Sequence, residues 1–295
     1  MNCLLCNNSN LVELGKPIFI KAFTPFIRKD YRVVMCKDCE FYFVNPKIDL
    51  SIEEWSQLYG SEYFFELNEW HKRERLNDVH NRMEQMSVYS KELNINFLDI
   101  GCGEGLALLE ARKREWRAYG NDISDNRVIE AKRNEISFKL GDLLSANYPE
   151  NFFDFVHMDS VLEHLIIPNE YLKELNRIMK KNGILYIGVP NENSLFDNFR
   201  QIIFKFIGKS QYSAKLKPFA PPFHVSGFTK KSLGIISSQT NFSIIKLKNF
   251  ATHFEYKKYS PKTKSFWIHF LLLPIDIAAI LLKMEKYYAI FLRKD

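Results

Sequence analysis

The stretch Phe97-Leu98-Asp99-Ile100-Gly101-Cys102-Gly103-Glu104-Gly105 constrains this chain more than any other. An apolar run ends in an acid, three glycines follow at alternate positions, and a helical pattern starts at Leu106. That order predicts a strand, a tight turn and a helix start. Glycine admits φ > 0 and lets a ligand come close to the backbone. A helix N-terminus offers unpaired N–H groups and a favourable dipole to an anion. The spacing is G-x-G-x-G with an acid two residues before the first glycine. It differs from the G-x-G-x-x-G of dinucleotide-binding turns. Taken alone, the turn is equally a Gly-rich loop without a ligand.

The residues that follow repeat a β/α order. Arg117–Gly120 reads as a second strand followed by Asn121-Asp122-Ile123-Ser124, and Asp125–Asn134 as a helix. Phe138–Leu140 belongs to a third strand that leads into Gly141-Asp142-Leu143. Asn151–Met158 is the fourth, running into Asp159-Ser160-Val161-Leu162-Glu163-His164-Leu165. A helix over Asn169–Lys180 is stopped by Lys181-Asn182-Gly183, and Ile184–Val189 is a fifth strand, a nearly continuous apolar run. Such alternation predicts an α/β, doubly wound, mostly parallel sheet with its ligand at the strand C-termini. Asp122 lies 21 residues after Gly101, and a carboxylate there can accept from both hydroxyls of a ribose. As single acids in turns, Asp122 and Asp142 can equally be helix caps.

Together these segments resemble the class I S-adenosylmethionine-dependent methyltransferases, with a Rossmann-like sheet of seven strands. The resemblance implies a cofactor site made of Asp99, Gly101, Cys102, Gly103 and Gly105, where the methionine carboxylate stands in place of a pyrophosphate. It assigns Asp122 to the ribose with Ile123 beside it in the cofactor site, Asp142 and Leu143 to adenine, and Met158 and Asp159 to the methionine half. It also places a Leu-Glu-His segment after strand four. An imidazole titrates near neutrality, so His164 is a candidate base for the acceptor hydroxyl. A sulfonium leaves as a neutral thioether, so alignment of nucleophile and methyl carbon can carry most of the catalysis. A structural role for Glu163 and His164 is the alternative. Asp159 and Glu163 do not by themselves offer enough ligands for a metal.

Toward the N-terminus, Cys3-x-x-Cys6 and Cys36-x-x-Cys39 are separated by 29 residues. Four thiolates in this spacing suit one tetrahedral, coordinatively closed, structural zinc in a ribbon-like region, with strand-like runs at Pro17–Phe23 and Tyr31–Met35. Four unconnected buried thiols are the alternative. Ser51 and Glu54 read as a capping box opening a helix that Gly60 stops. The run from Cys3 to Phe65 resembles the N-terminal zinc region of bacterial methyltransferases that modify sugars and surface glycans. There an aromatic segment closes over the cofactor, which implies contacts from Tyr59 and Tyr63; packing against the main domain is the alternative. A helix with apolar positions at Leu76, Val79, Met83 and Met86 is predicted over Glu69–Leu93.

Charge divides the chain. Residues 196–295 hold 17 Lys/Arg and 5 Asp/Glu, against 24 and 30 in the remainder. A basic final third suits an anionic partner or a solvated basic face. Leu195–Ile207 is an amphipathic helical pattern rich in Phe, and Phe266–Leu282 is a 17-residue apolar run with a narrow stripe of Ser265, His269, Asp276 and Lys283. Lysines 257, 258, 262, 264, 283 and 286 flank the second. These patterns predict docking of 195–209 and 266–283 on an anionic membrane surface, with a packed helix, a substrate lid or an oligomer contact as alternatives. Strands are expected at Phe242–Leu247 and Tyr287–Leu292. A bilayer span between them would separate the last strand from its sheet, which favours peripheral binding. His224, in His-Val-Ser-Gly-Phe-Thr, resembles a segment near the family's substrate pocket and is a second candidate base or substrate ligand.

The expected organisation is a zinc-binding region over 1–65, an S-adenosylmethionine-binding core over 66–193, and substrate- or membrane-facing inserts plus the last two strands over 194–295. The expected activity is methyl transfer to a sugar hydroxyl of a bacterial glycan or lipid-linked precursor. RNA methylation and a non-enzymatic scaffold are the rivals, and the apolar stretches argue against nucleic acid. Met1-Asn2-Cys3 leads into polar residues, not into a basic segment and apolar run, so a cytoplasmic protein at the inner membrane face is expected.

Overall fold

The computed structural model describes residues 1–19, 27–51, 54, 69–90, 92, 94–133, 136–220, 222–251 and 259–295. Two compact units divide the chain. One is Met1–Gly60, Val189–Leu233 and Lys248–Ala289, and the other is Ser61–Gly188, Gly234–Leu247 and Ile290–Asp295.

In the first unit, β1 (Leu11–Gly15), β2 (Arg32–Cys36) and β3 (Tyr42–Asn45) form an antiparallel sheet. A two-residue strand from later in the chain, Ser226–Gly227 (β9 in chain order), extends it beside β3. β1 lies in Leu-Val-Glu-Leu-Gly, too short an alternation to stand out in the sequence. Of the run Pro17–Phe23, only 17–19 are among the described residues, with Phe19 bridged to Phe219. The capping box is present. The Glu54 N–H donates to Ser51 Oγ (3.2 Å) and the Ser51 N–H to Glu54 Oε2 (2.7 Å). The rest of its helix, and Tyr59 and Tyr63 with it, lies outside the described residues.

The expected seven-stranded sheet is present. Its strands are β4 (Asn96–Ile100), β5 (Arg117–Asp122), β6 (Ser137–Leu140), β7 (Phe153–Asp159), β8 (Met179–Pro190), β10 (Phe242–Phe250) and β11 (Tyr287–Lys294), in the order β10-β11-β8-β7-β4-β5-β6. The pairings β7–β8, β4–β7, β4–β5 and β5–β6 are parallel. Every residue of β4 is buried, as a strand covered on both faces requires. The chain runs from β4 to β5 and β6 on one side and then crosses back from β6 to β7 on the other side of β4. This is the switch point at which open α/β sheets bind ligands.

The helices are α1 (Glu69–Ser87), α2 (Leu106–Lys113), α3 (Ile129–Arg133), α4 (Pro168–Ile178), α5 (Leu195–Phe206), α6 (Lys230–Gln239) and α7 (Lys264–Leu282). α1 ends at Ser87, earlier than its pattern predicts. It is clamped to α2 by His80 on Glu110 (2.8 Å) and by Glu84 on the C-cap residue Arg114 (2.6 Å), which also holds Glu110 at 3.1 Å. α3 starts at Ile129 rather than Asp125, because the Asp125 carboxylate takes the Arg127 N–H and guanidinium and competes with the helical turn. β8 begins before the Lys181-Asn182-Gly183 stop. Phe153 pairs with Met179 and Phe155 with Ile184, so an irregularity in the ladder absorbs the extra residues.

α7 is capped by Thr263, whose Oγ1 accepts from the Phe266 N–H, and it carries Pro274 inside. Among the described residues it is the one helix long and apolar enough to cross a membrane, and almost none of it is buried. α5 packs on α7. Phe206 is 86% exposed on α5, and Leu271 and Leu281 are 74% and 77% exposed on α7.

Candidate functional site

Strand register builds the site. Asp99 on β4 pairs with His157 on β7, and His157 with Tyr186 on β8, so one row of side chains crosses three strand ends. His157 Nδ1 lies 2.7 Å from Asp99 Oδ1, and its ring stacks on Tyr186 at 5.1 Å. All three are buried, and His157 Nε2 has no hydrogen-bond partner among the described residues. Burial pushes the Asp99 carboxyl up, against the pull of His157. Two residues along, Asp159 receives Arg82 at 2.5 Å, and the Arg82 guanidinium lies 5.2 Å from the Tyr186 ring centre. A Cβ on Gly188, the neighbour of Asp159 across the ladder, would sit 2.0 Å from Asp159 Oδ1, so this carboxylate needs a glycine beside it.

A cavity of about 100 Å³ opens on this row, lined by Asp99, Gly101, Cys102, Glu104, His157 and Asp159 from the strand ends and the glycine turn. α1 supplies Arg75, Asp78, Val79 and Arg82, spaced three and four apart on one helical face. Arg75 reaches Glu104 at 3.3 Å. Burial keeps the Cys102 thiol protonated, its pKa pushed well up.

The glycine turn behaves as expected. Gly101 has φ 65°, and a Cβ there would lie 2.4 Å from Val161 Cγ2. A Cβ on Gly103 would meet no atom of the described residues within 4 Å, which leaves that backbone open to a ligand among them. The Gly103 N–H donates to Asp122 Oδ2 (2.8 Å) and the Ser124 N–H to Oδ1 (3.1 Å). Each oxygen retains capacity for one further donor, as a ribose diol needs. Beside it Ile123 is 68% exposed, a bare apolar surface suited to a flat ring. Asp142 caps the short turn Leu143–Ser145, accepting the Leu144 N–H at 2.7 Å, and it also accepts the Tyr171 hydroxyl. Leu143 is buried. Met158 is wholly buried and, by strand alternation, faces away from His157 and Asp159, so it offers a ligand its backbone and not its side chain.

His164 closes the turn Leu162–His164, its N–H bonded to the Val161 carbonyl at 2.9 Å, and it is half-buried. Val161 of that turn is the residue that crowds Gly101. His224, also half-buried, belongs to the other unit and lines a second cavity there with Glu192, Arg200 and Lys217. In that same unit the sulfurs of Cys3, Cys6, Cys36 and Cys39 all lie within 4.8 Å of one another, with Cys3–Cys39 at 3.5 Å and Cys6–Cys36 at 3.6 Å. Zn–S bonds of about 2.3 Å in a tetrahedron put sulfurs roughly 3.8 Å apart, so this set fits one ion.

Sequence reasoning missed His157, Tyr186, Arg75, Asp78 and Arg82. His157 is a lone polar residue in an apolar strand. The α1 residues form a second, polar periodicity (75, 78, 82) beside the apolar positions that were followed.

Residues 67–247 match the family model described as a methyltransferase domain, and the chain belongs to that family. Over 159 residues it is 28% identical to the ubiquinone biosynthesis O-methyltransferase of Pelagibacter ubique (strain HTCC1062), covering 52% of this chain and 64% of that one. Over 214 residues it is 27% identical to the demethylmenaquinone methyltransferase of Staphylococcus saprophyticus, covering 63% of this chain and 91% of the relative. A SAM-dependent methyltransferase from Archaeoglobus fulgidus shares the fold with a TM-score of 0.51 at 20% identity, over 83% of this chain and 100% of that one. Against three of its curated relatives the chain spans 31%, 64% and 35% of their length. The methyltransferase fold supports S-adenosylmethionine as the cofactor, and the residues present fit such a group: Asp122 keeps acceptor capacity for a diol, and Asp99, Asp159, Arg75 and Arg82 offer both signs of charge to an amino-acid zwitterion.

Proposed function

We propose that this protein transfers a methyl group from S-adenosylmethionine to a small acceptor, a sugar hydroxyl of a lipid-linked precursor or glycan, at an anionic membrane surface on the cytoplasmic side. The observation that carries the donor half is the switch-point cavity, with carboxylates and guanidiniums around a ligand-accessible glycine turn. Asp122 holds the ribose, Ile123 covers one side of the adenine, and Asp142 and the Leu143 backbone meet its edge. Asp99 and Asp159 take the methionine ammonium, and Arg75 and Arg82 its carboxylate. When bound, the cofactor supplies an electrophilic methyl whose leaving group departs as a neutral thioether. The chain's own task is therefore alignment, exclusion of water and removal of one proton from the acceptor hydroxyl. His164 and His224 are the bases proposed for that proton.

The acceptor reading draws on two supports. The relatives named for ubiquinone and demethylmenaquinone act, by those names, in quinone chemistry, which is small-molecule and lipophilic. The exposed apolar faces of α5 and α7, with Lys205, Lys209, Lys262, Lys264, Lys283 and Lys286 on or flanking them, suit shallow insertion into an anionic leaflet. The four thiolates would hold one structural zinc, which would take no part in the chemistry. The test is incubation with methyl-labelled cofactor and separate lipid, glycan and RNA fractions. Label in the lipid-linked or glycan fraction is expected, and label confined to RNA overturns the acceptor class.

A further inference from the structure

The second cavity holds about 230 Å³ and lies wholly within the unit that carries α5 and α7. Arg200, Lys217 and Lys286 line it, with His224, Glu192 and Asp197. The acids do not balance the cations. Asp197 is already engaged by Arg200 at 3.0 Å and by the Ser194 hydroxyl at 2.6 Å. Glu192 is buried, and burial with the nearby Asp197 pushes its carboxyl up to about 7, against the pull of Lys215 and Arg200. It is thus largely protonated at slightly acid pH and about half so near neutrality. Lys215, just behind, is used internally, donating to the Glu192 carbonyl and to Asn198 Oδ1.

Arg200 is paired with Asp197 and also donates to the Ala214 carbonyl, and the other two cations have no carboxylate partner of their own among the described residues. Lys217 makes no ion pair or side-chain hydrogen bond among the described residues, and burial together with the neighbouring Arg200 charge pushes its pKa down. Arg200 Nε is buried without a hydrogen-bond partner among the described residues. Lys286 is held 4.6 Å from the Phe196 ring centre. Arg200, Lys217 and Lys286 share this partly desolvated hollow with Asp197 and a half-protonated Glu192, an excess of positive charge that an added anion offsets. An oxyanion with several acceptor oxygens can accept from more than one of them.

α5 connects this hollow to the apolar surface. Its Phe196, Asp197 and Arg200 line the cavity, while Phe199, Ile202, Ile203 and Phe206 are exposed on another face. One helix therefore presents a cationic pocket and an apolar, lipid-suited surface. We propose that the cavity binds the phosphate group of the acceptor lipid, a phosphate ester on a long apolar chain, through Lys217, Arg200 and Lys286, while the chain stays with the leaflet that α5 and α7 enter. This assignment rests on the lipid-linked acceptor reading above and narrows it to phosphate-bearing amphiphiles.

The experiment is calorimetric titration of the full chain with dodecyl phosphate below its micelle concentration, with dodecanol and with inorganic phosphate, alongside a separate titration with S-adenosylmethionine. Dodecyl phosphate should bind at least tenfold more tightly than either of the others. Lys217→Gln should reduce that affinity at least tenfold, with the melting temperature not lowered and S-adenosylmethionine affinity unchanged. Should Lys217→Gln fail to fold, Lys286→Gln makes the same comparison. Equal binding of dodecanol overturns the phosphate assignment, and equal binding of inorganic phosphate overturns the lipid. Undiminished dodecyl phosphate binding in the folded variant overturns the residues. Failure of S-adenosylmethionine to bind, with the phosphate results intact, overturns the donor reading and leaves this one standing.

Discussion

The donor cavity and the cationic cavity are built by different means. Around the first, Asp99, His157 and Tyr186 are fixed by the register of a parallel sheet, and each is locked to its neighbour by a hydrogen bond or a ring stack. Around the second, charges sit on a helix and on irregular segments, with Lys217 unmatched and Glu192 held near its protonation midpoint. A rigid row suits a ligand of one fixed shape. An unsatisfied hollow beside an exposed apolar helix suits a ligand whose charged end must be pulled from a lipid surface. The contrast teaches that strand register can fix a row of polar side chains rigidly, whereas charges on a helix and irregular segments leave a hollow that a ligand must complete.

The comparison can be broken at four points. The largest effect is expected at the thiolates. Cys36→Ser should take bound zinc from one per chain to none by atomic absorption and destabilise the β1–β3 sheet, because a closed structural site contributes folding energy outright. Retention of one zinc contradicts the four-thiolate assignment. Next is Gly101→Ala. A left-handed φ costs about 1–2 kcal/mol outside glycine, and the clash with Val161 adds about 1–3 kcal/mol as overpacking. Urea denaturation should show that loss, and cofactor binding should fall with it; wild-type stability would show that the turn tolerates a side chain.

Smaller effects separate the second region. Leu271→Glu removes an apolar side chain whose full burial is worth about 1.5–3 kcal/mol. Flotation with anionic vesicles should weaken roughly 10- to 100-fold, with the fold intact by circular dichroism. Unchanged flotation contradicts insertion of α7. The second region also predicts a pH slope. The folded Glu192 pKa is raised, so the folded chain holds a proton that the unfolded chain has lost, and stability falls as pH rises from about 4.5 to about 7. At about 1.4 kcal/mol per unit this slope is on the order of 3 kcal/mol, and Glu192→Gln should flatten it. Asp197, Lys215, Arg200 and Leu216 surround the group and set the residual slope.

Much of the donor half was legible because its requirements are local. Alternate glycines, an acid ending a strand and the β/α alternation each follow from backbone geometry over a few residues. The capping box at Ser51 and Glu54 was legible for the same reason. What the pattern could not show depends on pairing between distant segments. His157 acquires its role only when register sets it beside Asp99, and Arg82 only when α1 lies against the strand ends. The start of α3 was misplaced because Asp125 satisfies Arg127 locally in place of a helical turn. β1 and β9 exist through their partners and not through their own propensities. In the basic third the sequence showed charge and apolar spacing but could not say that Lys217 and Arg200 line the same hollow.

The most direct test of the account is the affinity of the chain for S-adenosylmethionine, measured by calorimetry on wild type and on Asp122→Ala. Wild type should bind one molecule per chain. The variant should lose the hydrogen bonds of a charged acceptor, about 1.5–3 kcal/mol, or roughly 10- to 100-fold in affinity. Equal affinity in the two proteins, or no binding by a folded wild type, would contradict it.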